Sequence, residues 1–441
     1  MKNHRLVVVG AGIAGLTAAY RLKRAGYEPI VFERGEKVGG RMATDEVDGF
    51  TIDYGAQFLY DNFSLLTGLI REVGLTPKFV QGGQTLSMLR GGKSRAFRAD
   101  DLLSPLKSGV LGLGAWLRFG LLGYGKLATQ TKSLPGNDIT AWTRYDDLDG
   151  DTWSRSTFGR DVTDYVIEPQ SNCFYFQHPR EMSRVIPLVT TALMFFKQGK
   201  YSTLVGGINE LPRRLAEELD VRLNSPVRSV SITDGGVEVA TDQETVVADR
   251  VVLASPAPFT RAFYREPSPI EKDLLDTSYS STLVVALATR DSYQIPPEFA
   301  DLNGLLLPEK ERSPLVAITN EGIKEKTREN NGKLFLAFFT GTEGLKRIDE
   351  PEDEIVAVTL RETEKYLPGL SDHLRFAKVY RWREAVARTP VGRPRNVARY
   401  RSGVNGSTRV FLAGDYMGIP YTDGSAATGD WAASALLKTL T

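Results

Sequence analysis

The chain has 441 residues, with 55 Lys+Arg against 54 Asp+Glu for a formal net charge of +1. A chain so balanced carries no global field for nucleic acid, and 41% hydrophobic with 25% charged residues is too apolar for disorder. One cysteine, Cys173, and three histidines, His4, His178 and His373, leave no disulfide framework and no cysteine-based metal site, so no metal is expected and a reduced, cytoplasmic setting fits best.

The opening residues run into an apolar stretch that glycines and then Arg21, Lys23 and Arg24 interrupt, too short for a signal peptide. Leu6–Val9 reads as a buried parallel strand. Gly10-Ala-Gly12-Ile13-Ala14-Gly15 follows, and Leu16, Ala19 and Leu22 recur at helical spacing until Gly26. Ile30–Phe32 is a second strand, closing at Glu33. This is a complete βαβ unit. Gly10 permits the tight turn, Gly12 admits a pyrophosphate close to the backbone, and Gly15 lets the helix lie on the strand. The helix N-terminus offers free N–H groups to the diphosphate, and Glu33 is placed to accept from ribose hydroxyls. A terminal acid disfavours NADP, whose 2′-phosphate it would repel.

Arg34-Gly-Glu-Lys-Val-Gly39-Gly40-Arg41 then adds bare backbone and a cation. The stretch from Val8 to Arg41 resembles the opening of flavoproteins of the amine oxidase, protoporphyrinogen oxidase and phytoene desaturase superfamily. That resemblance implies FAD, not NAD. Gly49-Phe-Thr-Ile-Asp53-Tyr-Gly55-Ala-Gln57 is similar to the segment that runs beside the flavin ring. Phe158–Pro169 and Pro179–Ser183 resemble the protoporphyrinogen oxidase branch. In the family's second FAD segment Val227 would hold the adenine. Near the end, Arg409-Val-Phe-Leu-Ala-Gly414-Asp415 resembles the strand whose acid accepts from the ribityl chain. After it, Tyr421-Thr-Asp-Gly424-Ser425-Ala426-Ala-Thr-Gly429 opens a helix aimed at the flavin N1–C2 edge, where it would stabilise the negative charge of reduction. The resemblance puts Gln57, Trp382 and Tyr421 against the reacting end. Tyr421 is either a wall of an aromatic cage or a core tyrosine, and Trp382 either a neighbour of the flavin or plain core. Ser278–Val285 lacks the lysine that amine oxidases keep near flavin N5, which counts against simple amine oxidation. Cys173 lies away from the C-terminal segment, so FAD is expected to be non-covalent.

Two features stay open. Gly109–Gly125 is apolar and glycine-rich, broken by Arg118. It reads as a buried helix or loop, with an interfacial segment touching lipid as the alternative. Arg381, Arg383, Arg388, Arg393, Arg395, Arg399 and Arg401 face Glu384 alone over that stretch. They form a solvated face, or a rim for carboxylates or anionic lipid.

The expectation is an α/β fold: a split FAD-binding Rossmann-type domain of residues 1–78, 203–262 and 382–441, with an inserted mixed α+β substrate domain of residues 79–202 and 263–381. The expected function is FAD-dependent removal of hydride from a small apolar or porphyrinogen-like substrate, with O₂ or another acceptor reoxidising the flavin. Alternatives are a flavin amine or amino-acid oxidase, an isoprenoid desaturase or isomerase, an NAD-linked dehydrogenase, and a flavoprotein that binds a partner without turnover. The protein is expected in the cytoplasm, with peripheral membrane contact as a further possibility.

Overall fold

In the computed structural model the described residues are 4–98, 101, 103–324 and 332–440. Five short strands form a sheet in the order Asp220–Arg222, Ile30–Phe32, Leu6–Val9, Arg250–Leu253, Val410–Leu412, and every neighbouring pair in it is parallel. Their near-continuous Val, Leu, Ile and Phe content is what a sheet covered on both faces requires. The first helix, Ile13–Arg24, crosses one face and packs against the last, Thr422–Lys438. The crossing is close because Gly429 has no side chain: a Cβ there would lie 1.9 Å from the Ala14 carbonyl oxygen. Strands 227 to 248 form a separate antiparallel meander beside this sheet.

A second sheet of seven strands runs Leu374–Ala387, Tyr279–Thr289, Leu334–Phe339, Leu315–Asn320, Gly304–Leu306, Thr85–Arg90, Lys93–Arg98. Its pairs are antiparallel except Gly304–Leu306 with Thr85–Arg90, and helices cover it. Chain from both expected insertions builds this sheet. The boundary expected after Arg381 falls inside a continuous strand: Leu374–Ala387 runs through Trp382, which pairs with Thr282. Trp382 therefore belongs to the seven-stranded sheet and not to the entry into strand Val410–Leu412.

The Gly109–Gly125 stretch is not a buried helix. It contains the helix Leu113–Phe119 and runs into the π-helical turn Gly120–Leu127, and Leu113, Leu117 and Leu121 stand exposed. Phe119 and Leu127 are buried, so the inner face is satisfied while the outer face is also apolar.

Candidate active site

A cavity of about 1310 Å³ opens at the carboxyl ends of the parallel strands. Val9, Phe32, Ala254 and Gly414, at or just past the ends of four of these strands, all line it. Ligands of open α/β sheets bind at this edge, where strand order reverses. The volume exceeds the roughly 300–1,000 Å³ of an ordinary small-molecule site, as a dinucleotide plus a second molecule would require.

One half of the cavity is built from the glycine loop. Gly10 has φ of +102°, a turn that L side chains rarely adopt. Gly12 caps the first helix without a side-chain hydrogen bond, and no heavy atom beyond its immediate chain neighbours lies within 4 Å of where its Cβ would be. The first-turn N–H groups at Ile13 and Ala14 thus face open space, as anion-binding helix ends do. Glu33 accepts from Ala11 N and Gly35 N, each at 2.8 Å, which fixes its carboxylate at the cavity wall. Arg34 lies 3.8 Å over the ring of Phe259. Gly40 and Val227 also line this half. Gly15, Gly424 and Ala426 do not line the cavity: added Cβ atoms at the two glycines would strike the carbonyls of Gly10 and Ile419, and Ala426 is fully buried. They pack the helices behind the wall.

Where the two chain ends meet, Arg41 forms a bidentate pair with Asp415, Nη1 to Oδ2 at 2.6 Å and Nη2 to Oδ1 at 2.9 Å. Tyr279 OH donates to Oδ1 and Ala387 N to Oδ2, both at 3.0 Å. A carboxylate offers about four acceptor sites, and all are taken by protein donors. Asp415, expected on the ribityl chain, is in this arrangement the anchor of the Arg41 guanidinium. Arg41, expected towards the diphosphate, is likewise bound to Asp415.

The other half is apolar and aromatic. Tyr54 stacks between Tyr380, at 4.2 Å, and Trp382, at 5.6 Å, and the Trp382 indole N–H donates to Tyr54 O at 2.8 Å. Tyr421 stacks on Phe63 at 5.0 Å, and its hydroxyl donates to the Gly136 carbonyl. It therefore offers the cavity a ring rather than a free hydroxyl. Gln57 lines the cavity and donates to the Asp53 carbonyl, while its Oε1 is buried without a partner. Tyr165, Val166, Phe174, Leu193, Leu306 and Phe338 continue the lining. Cys173 lines it too, and burial pushes its thiol up to about 12, which keeps it protonated and a poor nucleophile. His178 caps a short turn at Pro179–Glu181, and His373 meets Ser292, both away from the cavity.

The sequence reading missed one charged group. Lys324 lines the cavity, and its ammonium donates to Asp53 at 2.7 Å and Glu321 at 3.2 Å. Asp53 is fully buried and also accepts from Thr44 Oγ1 and from Ile208 N at 2.9 Å. At Ser278–Val285, Thr282 and Val284 line the cavity, and the Thr282 hydroxyl donates to Phe339 O at 2.8 Å.

Five of the seven arginines in the cluster pair with the protein's own acids, and Arg393 donates to the Asp273 carbonyl at 3.3 Å. Arg381 pairs with Glu352 at 3.0 Å, Arg383 with Asp349, Arg388 with Glu181 at 2.8 Å, Arg395 with Asp146 at 3.4 Å and Arg401 with Asp138 at 2.9 Å.

Glu168, in the Phe158–Pro169 stretch, does not line the cavity. Burial pushes its carboxyl up to about 8 from 4.5, even though it accepts from Asn172 and the Glu309 N–H. Between those values the folded chain holds a proton that the unfolded chain releases, so stability falls as pH rises through the window. Glu168→Gln removes that cost. Its melting temperature is expected to match the wild type near about pH 4 and to exceed it increasingly up to about pH 8, as thermal melts across pH would report. Equal melting temperatures at pH 8 would rule out a proton held at Glu168.

The sequence pattern of the flavin containing amine oxidoreductases matches residues 13–437. The chain belongs to this family. It is similar to the 15-cis-phytoene desaturase of Capsicum annuum, 25% identical over 470 residues that cover 99% of this chain and 78% of that protein. It is also similar to a candidate flavin-containing monoamine oxidase, AofH, of Mycobacterium tuberculosis, 28% identical over 262 residues. That match spans 57% of this chain and about half, 56%, of AofH. Among solved structures it shares the fold of a candidate protoporphyrinogen oxidase from Exiguobacterium sp. 255-15, with TM-score 0.75 and 22% identity over 99% of this chain and all of the other.

The cavity fits the cofactor of this family. The open approach at Gly12, the uncapped first turn at Ile13 and Ala14, and the unpartnered Gln57 Oε1 are the bare donors and acceptor that a dinucleotide with a polar ring system needs. No helix among the described residues is long and apolar enough to cross a membrane.

Proposed function

We propose that this flavoprotein oxidises an apolar or porphyrinogen-like small molecule by removing hydride from a C–H bond, passing electrons on to O₂ or another acceptor. When bound, FAD supplies the hydride-accepting ring, and the chain supplies binding, orientation and exclusion of water. Gly10, Gly12, Ile13, Ala14, Glu33, Arg34, Gly40 and Val227 would hold its nucleotide half. Gly414, Ser425 and the start of the last helix would meet its ring, without a covalent link. The Tyr54–Trp382 stack, Gln57 and the Tyr421 ring would form the walls against which a substrate lies. This reading divides the chain between a dinucleotide half and a substrate half, and sets it to work in the cytoplasm with peripheral contact to a membrane.

The observation that carries the reading is the aromatic and aliphatic lining of the substrate half, in which Lys324 is already engaged by Asp53 and Glu321. An apolar wall orients an apolar substrate and offers little to an amine. A second reading, desaturation or isomerisation of an isoprenoid, is favoured by the arginine cluster. With five of its seven cations paired to protein carboxylates, the substrate's own carboxylates have fewer partners.

The test is anaerobic titration of the yellow protein with protoporphyrinogen, phytoene and benzylamine. Loss of the visible flavin band with either of the first two, and not with benzylamine, is the expected result. Bleaching by benzylamine alone would overturn it in favour of amine oxidation. No bleaching by any of the three would leave a flavoprotein that binds without turnover.

A further inference from the structure

Leu103 (44%), Leu113 (61%), Leu117 (44%) and Leu121 (72%) are four of the ten large apolar side chains that stand exposed among the described residues. Leu113, Leu117 and Leu121 recur at every fourth position along one helical run and so share an outward stripe. Phe119 and Leu127 on the same run are buried. A surface helix ordinarily turns polar residues to water, and this one is apolar on both faces.

The segment's own charges have one sign, and the acid that neighbours it from outside, Asp161 beside Gly112, is paired with Arg90 at 3.0 Å. From Leu102 to Asn137 the sequence contains no Asp or Glu, but contains Lys107, Arg118, Lys126 and Lys132. Lys107 and Lys132 are exposed, and Arg118 donates to the backbone carbonyls of Thr157, at 2.9 Å, and Ser156, at 3.2 Å, which leave its charge uncompensated. The same segment is a wall of the active-site cavity, since Pro105 and Val110 line it from within. A second copy of the chain on this face would bring like charges together across a two-fold axis. An anionic surface with an apolar interior complements both the stripe and its rim.

We propose that residues 103–127 are a docking surface for an anionic lipid bilayer, with the three leucines entering the acyl region and the cations resting among the headgroups. This sets the cavity wall at Pro105 and Val110 against the bilayer. It rests on the apolar-substrate reading above and names the partner of that site.

The test uses the full-length, flavin-loaded protein and sedimentation with vesicles of phosphatidylcholine alone or mixed with phosphatidylglycerol. The wild type is expected to sediment with the mixed vesicles, less so with phosphatidylcholine alone, and to be released by salt. The variant L113S/L117S/L121S is expected to partition at least tenfold less while keeping its melting temperature and flavin content. K107E/K132E is expected to lose the preference for phosphatidylglycerol. A triple variant that sediments like the wild type, or a wild type that stays in solution with both vesicles, overturns the proposal. So does a wild-type dimer that becomes monomeric in the triple variant without any vesicle binding, which would assign the stripe to a second copy. Sedimentation is read without turnover, so its failure leaves the proposed reaction standing. Absent bleaching in a protein that sediments would remove the reaction alone.

Discussion

Gly12→Val is expected to yield a folded, nearly colourless protein. No atom beyond its immediate chain neighbours lies within 4 Å of a Cβ at Gly12, and its backbone, at φ −73° and ψ 173°, is one that any residue adopts. The fold therefore tolerates the side chain at a cost of about 1 kcal/mol for a poorer helix cap. The added methyls instead occupy the approach to the uncapped helix end, where the diphosphate must come close to the backbone. A loss of at least about a hundredfold in FAD affinity, or roughly 2.8 kcal/mol, is expected. Flavin absorbance after dialysis against FAD, beside the melting curve of the apo form, reads the two effects apart. Gly429→Val makes the contrast, because its Cβ would lie 1.9 Å from the Ala14 carbonyl oxygen and the two helices could not pack. That variant should fail to fold. A Gly12→Val protein that binds a full equivalent of flavin would remove the glycine loop from the cofactor site.

Asp415→Ala should destabilise the chain strongly while leaving the glycine loop intact. It strands the Arg41 guanidinium, the Tyr279 hydroxyl and the Ala387 N–H, all of which now donate to one buried carboxylate. Breaking a buried pair from one side costs about 3–5 kcal/mol, because the remaining charge is left uncompensated. Urea unfolding of the apo form measures this, and flavin content is expected to fall with it, since Arg41 and Asp415 belong to opposite ends of the chain that close on the same cavity. A loss below about 1 kcal/mol would place the pair with exposed ones and deny it that closing role.

The local parts of this architecture were legible in the chain. Leu6–Val9, the helix from Ile13 and Ile30–Phe32 lie where strand periodicity and glycine spacing put them, because each is decided by neighbours close in sequence. What escaped was decided by distant partners. Lys324 and Asp53 are 271 positions apart, and neither has a local pattern that points to the other. The acids that neutralise Arg381, Arg388 and Arg401 come from residues 352, 181 and 138, so the cluster looked like a bare patch of charge. Trp382 and Tyr421 do reach the cavity, but their polar hydrogens are bound to the Tyr54 and Gly136 carbonyls, which no spacing foretold. The Gly109–Gly125 stretch misled for another reason. An apolar run predicts burial, and here both sides of the helix are apolar while only one is covered.

The strand Leu6–Val9 lies between Ile30–Phe32, translated soon after it, and Arg250–Leu253, which in turn needs Val410–Leu412 on its far side. A growing chain on the ribosome therefore holds Gly10–Gly15 long before the helix Thr422–Lys438, which closes the cradle, has emerged. Contacts so remote in sequence assemble slowly. Cofactor supply would then govern yield only once Thr422–Lys438 has emerged, and flavin-starved cells should accumulate a product in which that helix has not yet met Ile13–Arg24.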